Sequence, residues 1–122
     1  MSIAVRSITF DCEDPYRLAQ WWCKVFSVEP SPTDFPGDPV ALCTLGEDRA
    51  RLLFERVPEA KATKNRVHID IQAGERREEE IARLVALGAA FLADHRDEGT
   101  GWVVLADPEG NEFCLETGAP GS

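Results

Sequence analysis

Two stretches of the sequence place an imidazole and several carboxylates at alternate positions among apolar residues. His68 and Asp70 alternate with valine and isoleucine within residues 66–73, and Glu116 ends the alternating run 112–116. Because successive side chains of a β-strand point to opposite faces, these polar side chains are predicted to lie opposite the apolar ones. An imidazole and carboxylates can transfer protons or bind a divalent transition metal. The alternative at His68 is a neutral histidine that is hydrogen-bonded to a carboxylate, with no metal.

Motifs of covalent catalysis and of nucleotide binding are absent from the sequence. No G-x-S-x-G occurs, and the glycines do not form a dinucleotide-binding or phosphate-binding pattern. The second histidine, His95, lies in the polar stretch 94–101, which contains two glycines and is predicted to be a loop. The chemistry of the protein is therefore expected on the polar faces of its strands.

A predicted hairpin near the end of the sequence positions Glu116. Residues 102–106 are rich in β-formers, and the run D-P-E-G-N at 107–111 separates them from the strand 112–116. The proline sets φ, the glycine permits a positive φ, and the Asp and Asn side chains bond to their own backbone, which together predict a turn. The phenylalanine and leucine of the last strand are predicted core residues, with Cys114 and Glu116 on the opposite face.

Both halves of the chain predict a strand, then a helix, then further short strands. The first half predicts a strand at 3–12, a helix capped by Asp14 and begun by Pro15, a proline-rich loop at 29–39, and strands at 40–45 and 51–57. The second half predicts a strand at 66–73, a helix at 75–87 with Gly88 as its C-cap, and strands at 91–92, 102–106 and 112–116.

A shift of 61 positions relates the two halves. It carries Ser7 onto His68 (68 − 7 = 61) and Glu55 onto Glu116 (116 − 55 = 61), and it aligns apolar strand positions as well. The apolar stripes of the two helices are displaced by about two residues under this shift, so the repeat is one of structure more than of sequence. The sequence therefore predicts a repeated unit of one strand, one helix and about three strands.

This pattern resembles the glyoxalase/bleomycin-resistance/dioxygenase superfamily, also called the vicinal oxygen chelate superfamily. The D-P-x-G-N turn and the strand after it are similar to the last hairpin of that family, and residues 11–22 and 65–70 are similar to its glyoxalase-like domain subgroup. The resemblance spans almost the whole chain. It implies one α+β domain made of two tandem βαβββ modules, about residues 1–60 and 64–118, that form a curved mixed sheet with a cleft.

The resemblance also implies where a metal would bind. Members of the family take metal ligands from the first strand of each module and from a glutamate late in each last strand. Those positions are Ser7, His68, Glu55 and Glu116 in this sequence. His68, Glu55 and Glu116 suit Zn²⁺, Ni²⁺, Fe²⁺ or Mn²⁺, whereas Ser7 replaces a strong ligand with a neutral hydroxyl. A divalent metal and a metal-free cleft both remain open from the sequence.

Two functions are implied by the resemblance. The first is the binding of a small molecule in the cleft, with the ligand-binding residues Ser7, Thr9, Asp70 and Trp102. The alternative is a divalent-metal-dependent lyase, isomerase or dioxygenase-type enzyme that acts on a small oxygenated metabolite. In that enzyme the metal polarises a substrate oxygen, and Glu55 or Glu116 is the catalytic base. A homodimer is also expected, because clefts of this family are often completed by modules from two chains.

Composition excludes several classes of partner. The chain has 122 residues and a formal net charge of −9, which argues against nucleic-acid binding because phosphate contacts need clustered lysine and arginine. There is no apolar run of membrane-spanning length and no signal sequence, so no membrane partner and a cytoplasmic location are expected. The four cysteines form no C-x-x-C pair and are predicted to be free core thiols.

Overall fold

The computed structural model describes residues 2–117. Its elements are β1 (Ser7–Cys12), α1 (Pro15–Phe26), β2 (Val40–Cys43), β3 (Arg51–Arg56), β4 (Ile69–Gln72), a 3₁₀ turn (Gly74–Arg76), α2 (Arg77–Ala86), β5 (Ala90–Asp97), β6 (Thr100–Ala106) and β7 (Glu112–Glu116). The chain divides into two compact units, and the boundary falls between Lys61 and Ala62. Each unit combines a mixed sheet with a helix, which confirms the predicted α+β fold.

The first unit packs α1 against a three-stranded sheet in the order β1-β3-β2. The strands β1 and β3 are parallel, and β2 is antiparallel to β3. As predicted, Asp14 caps α1: its Oδ1 accepts a hydrogen bond from the backbone N–H of Arg17 at 3.3 Å, and Pro15 follows as the first helical residue. The fully buried ring of Trp22 contacts Phe10 of β1, with 5.6 Å between ring centroids.

The second unit has a four-stranded sheet in the order β4-β7-β6-β5. The strands β4 and β7 are parallel, whereas β6 is antiparallel to both of its neighbours. The core of this unit takes alternate residues of β6 and β7 together with the buried face of α2. It includes Ile81, Leu84, Val103, Leu105, Phe113 and Leu115. The burial of Phe113 and Leu115 confirms the core face predicted for the last strand.

The strand registers of the two units repeat each other. In the first unit Ile8 lies opposite Leu52, and in the second Ile69 lies opposite Phe113. Both residues of the second pair follow those of the first by the same interval (69 − 8 = 61 and 113 − 52 = 61). The 61-residue repeat inferred from the sequence is therefore a repeat of parallel strand pairing.

The predicted loop at residues 94–101 is wrong. Strand β5 continues to Asp97, and a two-residue turn at Glu98 and Gly99 leads directly into β6. The polar composition of this stretch reflects a hairpin that projects into solvent, where both faces of a strand can be polar. Gly101 makes the pairing possible: its φ is +82°, and a Cβ atom there would lie 2.2 Å from the carbonyl oxygen of His95.

The two modules differ in strand number. Three strands follow the helix in the second unit, but only β2 and β3 follow α1 among the described residues of the first. The intervening residues 29–39 contain four prolines, which remove backbone donors and cannot take part in a central strand. The first strand of the second unit is also shorter than predicted. It begins at Ile69, so His68 lies immediately before the strand.

Within residues 2–117, no helix has the length and apolar character that crossing a lipid bilayer would require.

Candidate functional site

One face of the second sheet carries most of the side chains that could do chemistry, and we call it the Trp102 face. It is defined by two rows of side chains that cross the four strands. The first row is His95, Trp102, Glu116 and Gln72, and the second is Ala93, Val104, Cys114 and Asp70. The predicted ligand-binding residues Asp70 and Trp102 thus lie on the same face of one sheet, because the residue pairing places them in neighbouring rows.

The Trp102 face bears an exposed aromatic pair. The rings of His95 and Trp102 stack with 5.0 Å between their centroids and an interplanar angle of 29°. The side chain of Trp102 is 42% exposed, whereas Trp21 and Trp22 in the first unit are buried. A large aromatic surface left in contact with water is available to a ligand. Sequence reasoning missed His95 because it assigned residues 94–101 to a loop; the alternation of His95 with Asp94 and Arg96 was the available signal.

A cluster of three potential metal ligands lies at one end of this face. Nδ1 of His68 is 3.4 Å from Oδ1 of Asp70 and 3.9 Å from Sγ of Cys114. The donor atoms of all three residues lie within 4.8 Å of one another. Asp70 lies directly opposite Cys114 in the parallel β4–β7 pair, which explains their proximity.

The segment before β4 that carries His68 is fixed by Glu112. The Glu112 carboxylate accepts hydrogen bonds from Nζ of Lys64 at 3.0 Å and from the backbone N–H of Asn65 at 3.2 Å. The backbone N–H of Glu112 in turn donates to Oδ1 of Asn65 at 3.0 Å. These reciprocal bonds tie the approach to β4 onto the start of β7, so His68 is held near Cys114 although it lies outside a strand.

The Cys114 thiol is kept in its protonated form by its surroundings. Burial raises the pKa of the Cys114 thiol above its ordinary value, and the negative charge and hydrogen bonding of Asp70 raise it further. The side chain is only 8% exposed. Cys114 is therefore not an activated nucleophile, because a nucleophilic cysteine needs a lowered pKa and access to its substrate.

Two of the separations in this cluster are close to those around a zinc-sized ion. Tetrahedral coordination with bonds of about 2.0–2.3 Å separates neighbouring ligand atoms by about 3.3–3.8 Å. The His68–Asp70 and His68–Cys114 separations are 3.4 Å and 3.9 Å. Imidazole, carboxylate and thiolate are all zinc ligands, and the thiol must lose its proton on binding. The four cysteines are free and buried, which confirms the prediction of core thiols, and Cys114 in addition lies beside His68.

Glu116, which was predicted as a metal ligand and catalytic base, lies further along the same face. It is paired with Gln72 on one side and with Trp102 on the other. His68 is four residues from Gln72 in the chain, a separation of about 13 Å at the rise of an extended strand. The structure thus brings Cys114 beside His68 and places Glu116 beside the aromatic pair.

The predicted site residues of the first unit lie on one face of its sheet. The side chain of Ser7 accepts hydrogen bonds from Nε and Nη2 of Arg51, both at 3.3 Å. Thr9 lies opposite Leu53, and Glu55 lies opposite Asp11, four positions along the strand from the Ser7–Arg51 pair. The structure therefore places Ser7, Thr9 and Glu55 on the predicted polar face and gives Ser7 a guanidinium partner.

The β5–β6 hairpin that carries the aromatic pair is anchored to α2 by Arg77. This arginine is 7% exposed, and its Nη1 donates to the carbonyl oxygens of Thr100 at 2.6 Å and Gly101 at 3.0 Å. Its Nε donates to Glu78, whose carboxylate also pairs with Arg96 of β5. The hairpin is thus held by charge-assisted bonds immediately beside Trp102.

Comparisons with solved structures place the fold. The fosfomycin resistance protein FosX of Listeria monocytogenes, solved as a mutant with Mn(II) and 1S,2S-dihydroxypropylphosphonic acid, is similar with a TM-score of 0.75 and 19% identity over 98% of this chain and 93% of its own. A glyoxalase/bleomycin resistance protein/dioxygenase family enzyme of Burkholderia phytofirmans PsJN is similar with a TM-score of 0.69 and 16% identity, over 93% of this chain and 98% of its own.

A third structure, of TioX from Micromonospora sp. ML1, has a TM-score of 0.61 and 17% identity over 93% of this chain and 97% of its own. No curated protein matches the sequence. The family model of the glyoxalase-like domain matches residues 7–116. The chain therefore belongs to the glyoxalase-like domain family, within the vicinal oxygen chelate superfamily.

Proposed function

We propose that the protein binds a small molecule on the Trp102 face. The observation that carries this proposal is the exposed Trp102 ring, stacked on His95 and paired across the sheet with the carboxylate-bearing Glu116. Small-molecule sites combine apolar and aromatic surface with a few polar groups that fix orientation. The adjoining row supplies the small apolar residues Ala93 and Val104, over which a flat ligand can extend.

Rigidity of the aromatic pair supports the same proposal. Both rings stand on paired strands, and Arg77 anchors the hairpin immediately beside them. A preorganised platform loses little conformational entropy when a ligand binds. The FosX structure contains a small phosphonic acid, which is consistent with a scaffold that holds small molecules. The ligand-binding roles of Ser7 and Thr9 stay predictions for the sheet of the first unit.

A screen of aromatic and heteroaromatic compounds tests this function. Trp102 is the exposed tryptophan, so a ligand that stacks on it should quench the protein's emission in a saturable manner. We expect at least one compound to do so in the wild type and to lose this effect in Trp102→Phe. The proposed site would be refuted if no compound bound. It would also be refuted if every compound that binds raised the melting temperature of the wild type and of Trp102→Phe equally.

A second candidate function is that of a divalent-metal-dependent enzyme of the lyase, isomerase or dioxygenase type. The observation that favours it is the cluster of His68, Asp70 and Cys114, whose donor spacings fit a metal ion. A metal held by these side chains would supply Lewis-acid polarisation of a substrate oxygen. Glu55 and Glu116 keep their proposed roles as bases, and Glu116 lies on the same face as the cluster. Metal analysis of protein purified without chelators tests this candidate.

We also propose that the protein is a homodimer in the cytoplasm with no nucleic-acid partner. The formal net charge of −9 supports the last point, since it opposes approach to a phosphate backbone. The homodimer is implied by the family, whose sites are often completed by two chains. Light scattering over the micromolar range tests it, and a monomer throughout that range would reject it.

A further inference from the structure

We infer that the Trp102 face selects planar aromatic cations over neutral or anionic rings of the same shape. This inference rests on the proposed function and names the class of ligand that the site would take. It depends on the charges of the side chains around the aromatic pair and on their positions in the sheet.

The charge of the Trp102 face has one sign. The two rows that define the face carry the carboxylates of Glu116 and Asp70. The next residue pair towards the hairpin turn, Asp97 and Thr100, adds the carboxylate of Asp97. The same positions contain no lysine and no arginine. Arg96, the nearest arginine in sequence, pairs instead with Asp94 and Glu78. Lys64 and Arg77, the cations beside this face, are paired with Glu112 and Glu78. The carboxylates therefore favour a negative potential around the aromatic surface.

Glu116 is the carboxylate placed to act on a stacked ligand. It lies directly opposite Trp102 in the antiparallel β6–β7 pair, at about 4.5–5.5 Å between Cβ atoms of such a pair. Its side chain is half-buried and has no ion-pair partner among residues 2–117. Asp70, by contrast, lies 3.4 Å from His68. Glu116 is thus the acidic group that a ligand on Trp102 can neutralise.

The two features favour the same kind of ligand. The negative face of an indole ring attracts a cation that lies over it, and the attraction grows when water is excluded. A carboxylate beside that ring stabilises the same positive charge and accepts hydrogen bonds from its N–H groups. A neutral ring gains only the stacking, and an anionic ring is repelled by Glu116. A planar heteroaromatic cation uses both groups at once.

Three probes of nearly equal size separate charge from shape: N-methylquinolinium, quinoline and quinoline-2-carboxylate. Their affinities are measured by isothermal titration at pH 8 for the wild type, for Glu116→Gln and for Glu47→Gln. The last is the matched control, because Glu47 is an exposed carboxylate in a turn of the first unit. Both variants change the net charge by one, but only Glu116→Gln changes it beside Trp102.

We expect the wild type to bind the cation about tenfold more tightly than quinoline, and the anion most weakly. Glu116→Gln should bring the affinity for the cation close to that for quinoline and leave quinoline within twofold of its wild-type value. Glu47→Gln should behave as the wild type. Raising the salt concentration should weaken only the binding of the cation, since screening does not affect neutral stacking.

Equal affinity of the wild type for the cation and for quinoline would overturn the inference and leave the proposed function intact. A loss in Glu47→Gln as large as that in Glu116→Gln would also overturn it, because the preference would then arise from overall charge. Failure of all three probes to bind would overturn the inference, and the broader compound screen then decides whether the proposed function fails as well. If Glu116→Gln does not fold, the wild-type preference for the cation over quinoline and its persistence in Glu47→Gln still test the inference, since loss of the preference in either protein would overturn it.

Discussion

The Sγ atom of Cys114 lies 3.9 Å from Nδ1 of His68, 46 residues earlier in the chain. The parallel pairing of β4 and β7 brings the two residues together, with Asp70 directly opposite Cys114. A thiol thus completes a three-donor cluster near the start of β4. The sequence predicts Glu116, two residues further along β7, as a metal ligand, and that role stays a prediction.

The first prediction separates these two candidates for the third metal donor. We expect Cys114→Ala and Asp70→Asn to weaken Zn²⁺ binding at least tenfold, since each removes one of three donors whose spacings suit the ion. Glu116→Gln should change the affinity by less than threefold, because Glu116 pairs with Gln72 and Trp102. Isothermal titration with Zn²⁺ alone measures all three. A larger loss in Glu116→Gln than in Cys114→Ala would favour Glu116 as the metal ligand, as predicted from the sequence.

The second prediction concerns the ionisation of Cys114. Burial and the carboxylate of Asp70 raise the pKa of its thiol, so the thiolate is scarce at neutral pH. Removing that negative charge in Asp70→Asn should lower the pKa, because the thiolate would no longer form next to an anion. Alkylation of Cys114 at pH 8, followed by mass spectrometry of its peptide, should therefore be faster in Asp70→Asn. Lys61→Gln, a charge change on an exposed side chain outside this face, is the control. Equal rates in Asp70→Asn and the wild type would contradict the assigned cause.

The third prediction compares two glycines of the β5–β6 hairpin. Both have a positive φ, +69° at Gly99 and +82° at Gly101, but a Cβ atom meets open space at Gly99 and backbone atoms of β5 at Gly101. Gly99→Ala should lower the free energy of unfolding by about 1–2 kcal/mol through backbone strain alone. Gly101→Ala should cost clearly more, because the His95 carbonyl oxygen would have to move and the hairpin with it. Urea denaturation of both variants measures the difference, and equal costs would show that the hairpin is loosely paired.

The fourth prediction tests the assignment of faces on β7. Phe113 is 1% exposed, so Phe113→Ala should lower the free energy of unfolding by about 3–5 kcal/mol. Glu116→Ala and His68→Ala should each cost less than about 1 kcal/mol, since neither removes core volume. Chemical denaturation measures all three variants. Similar losses in all of them would mean that the two faces of the last strand had been confused.

Sequence reasoning succeeded where the structure depends on residues adjacent in the chain and was less successful where it depends on residues far apart in the chain. Local rules correctly placed the Asp14 cap and the apolar face of β7, because capping and period-two alternation are properties of adjacent residues. On β1 the predicted core residue Ile8 is exposed and Phe10 is half-buried, whereas Cys12 is buried. The repeat correctly related the strand registers of the two units. His95 was missed because the strand that carries it is polar on both faces, and only its pairing with β6 makes it a strand.

The cluster of His68, Asp70 and Cys114 shows what alternation alone leaves open. Its donors come from residues separated by 46 positions, and their proximity depends on which residue of β4 lies opposite which residue of β7. A shift of two residues in a strand keeps every side chain on the same face, so alternation could not distinguish Cys114 from Glu116. The role of Glu116 as a metal ligand stays a prediction, and the register in the structure places the Cys114 thiol near His68.

The most direct test of the proposed binding face is a titration followed by NMR of the tryptophan indole N–H groups. Three such signals are expected, and Trp102→Phe assigns the one that belongs to the exposed ring. On addition of N-methylquinolinium, the account predicts a saturable shift of the Trp102 signal and of the Val104 methyl signals, while the signals of the buried Trp21 and Trp22 stay in place. A Trp102 signal that does not move while either buried tryptophan responds would contradict the account.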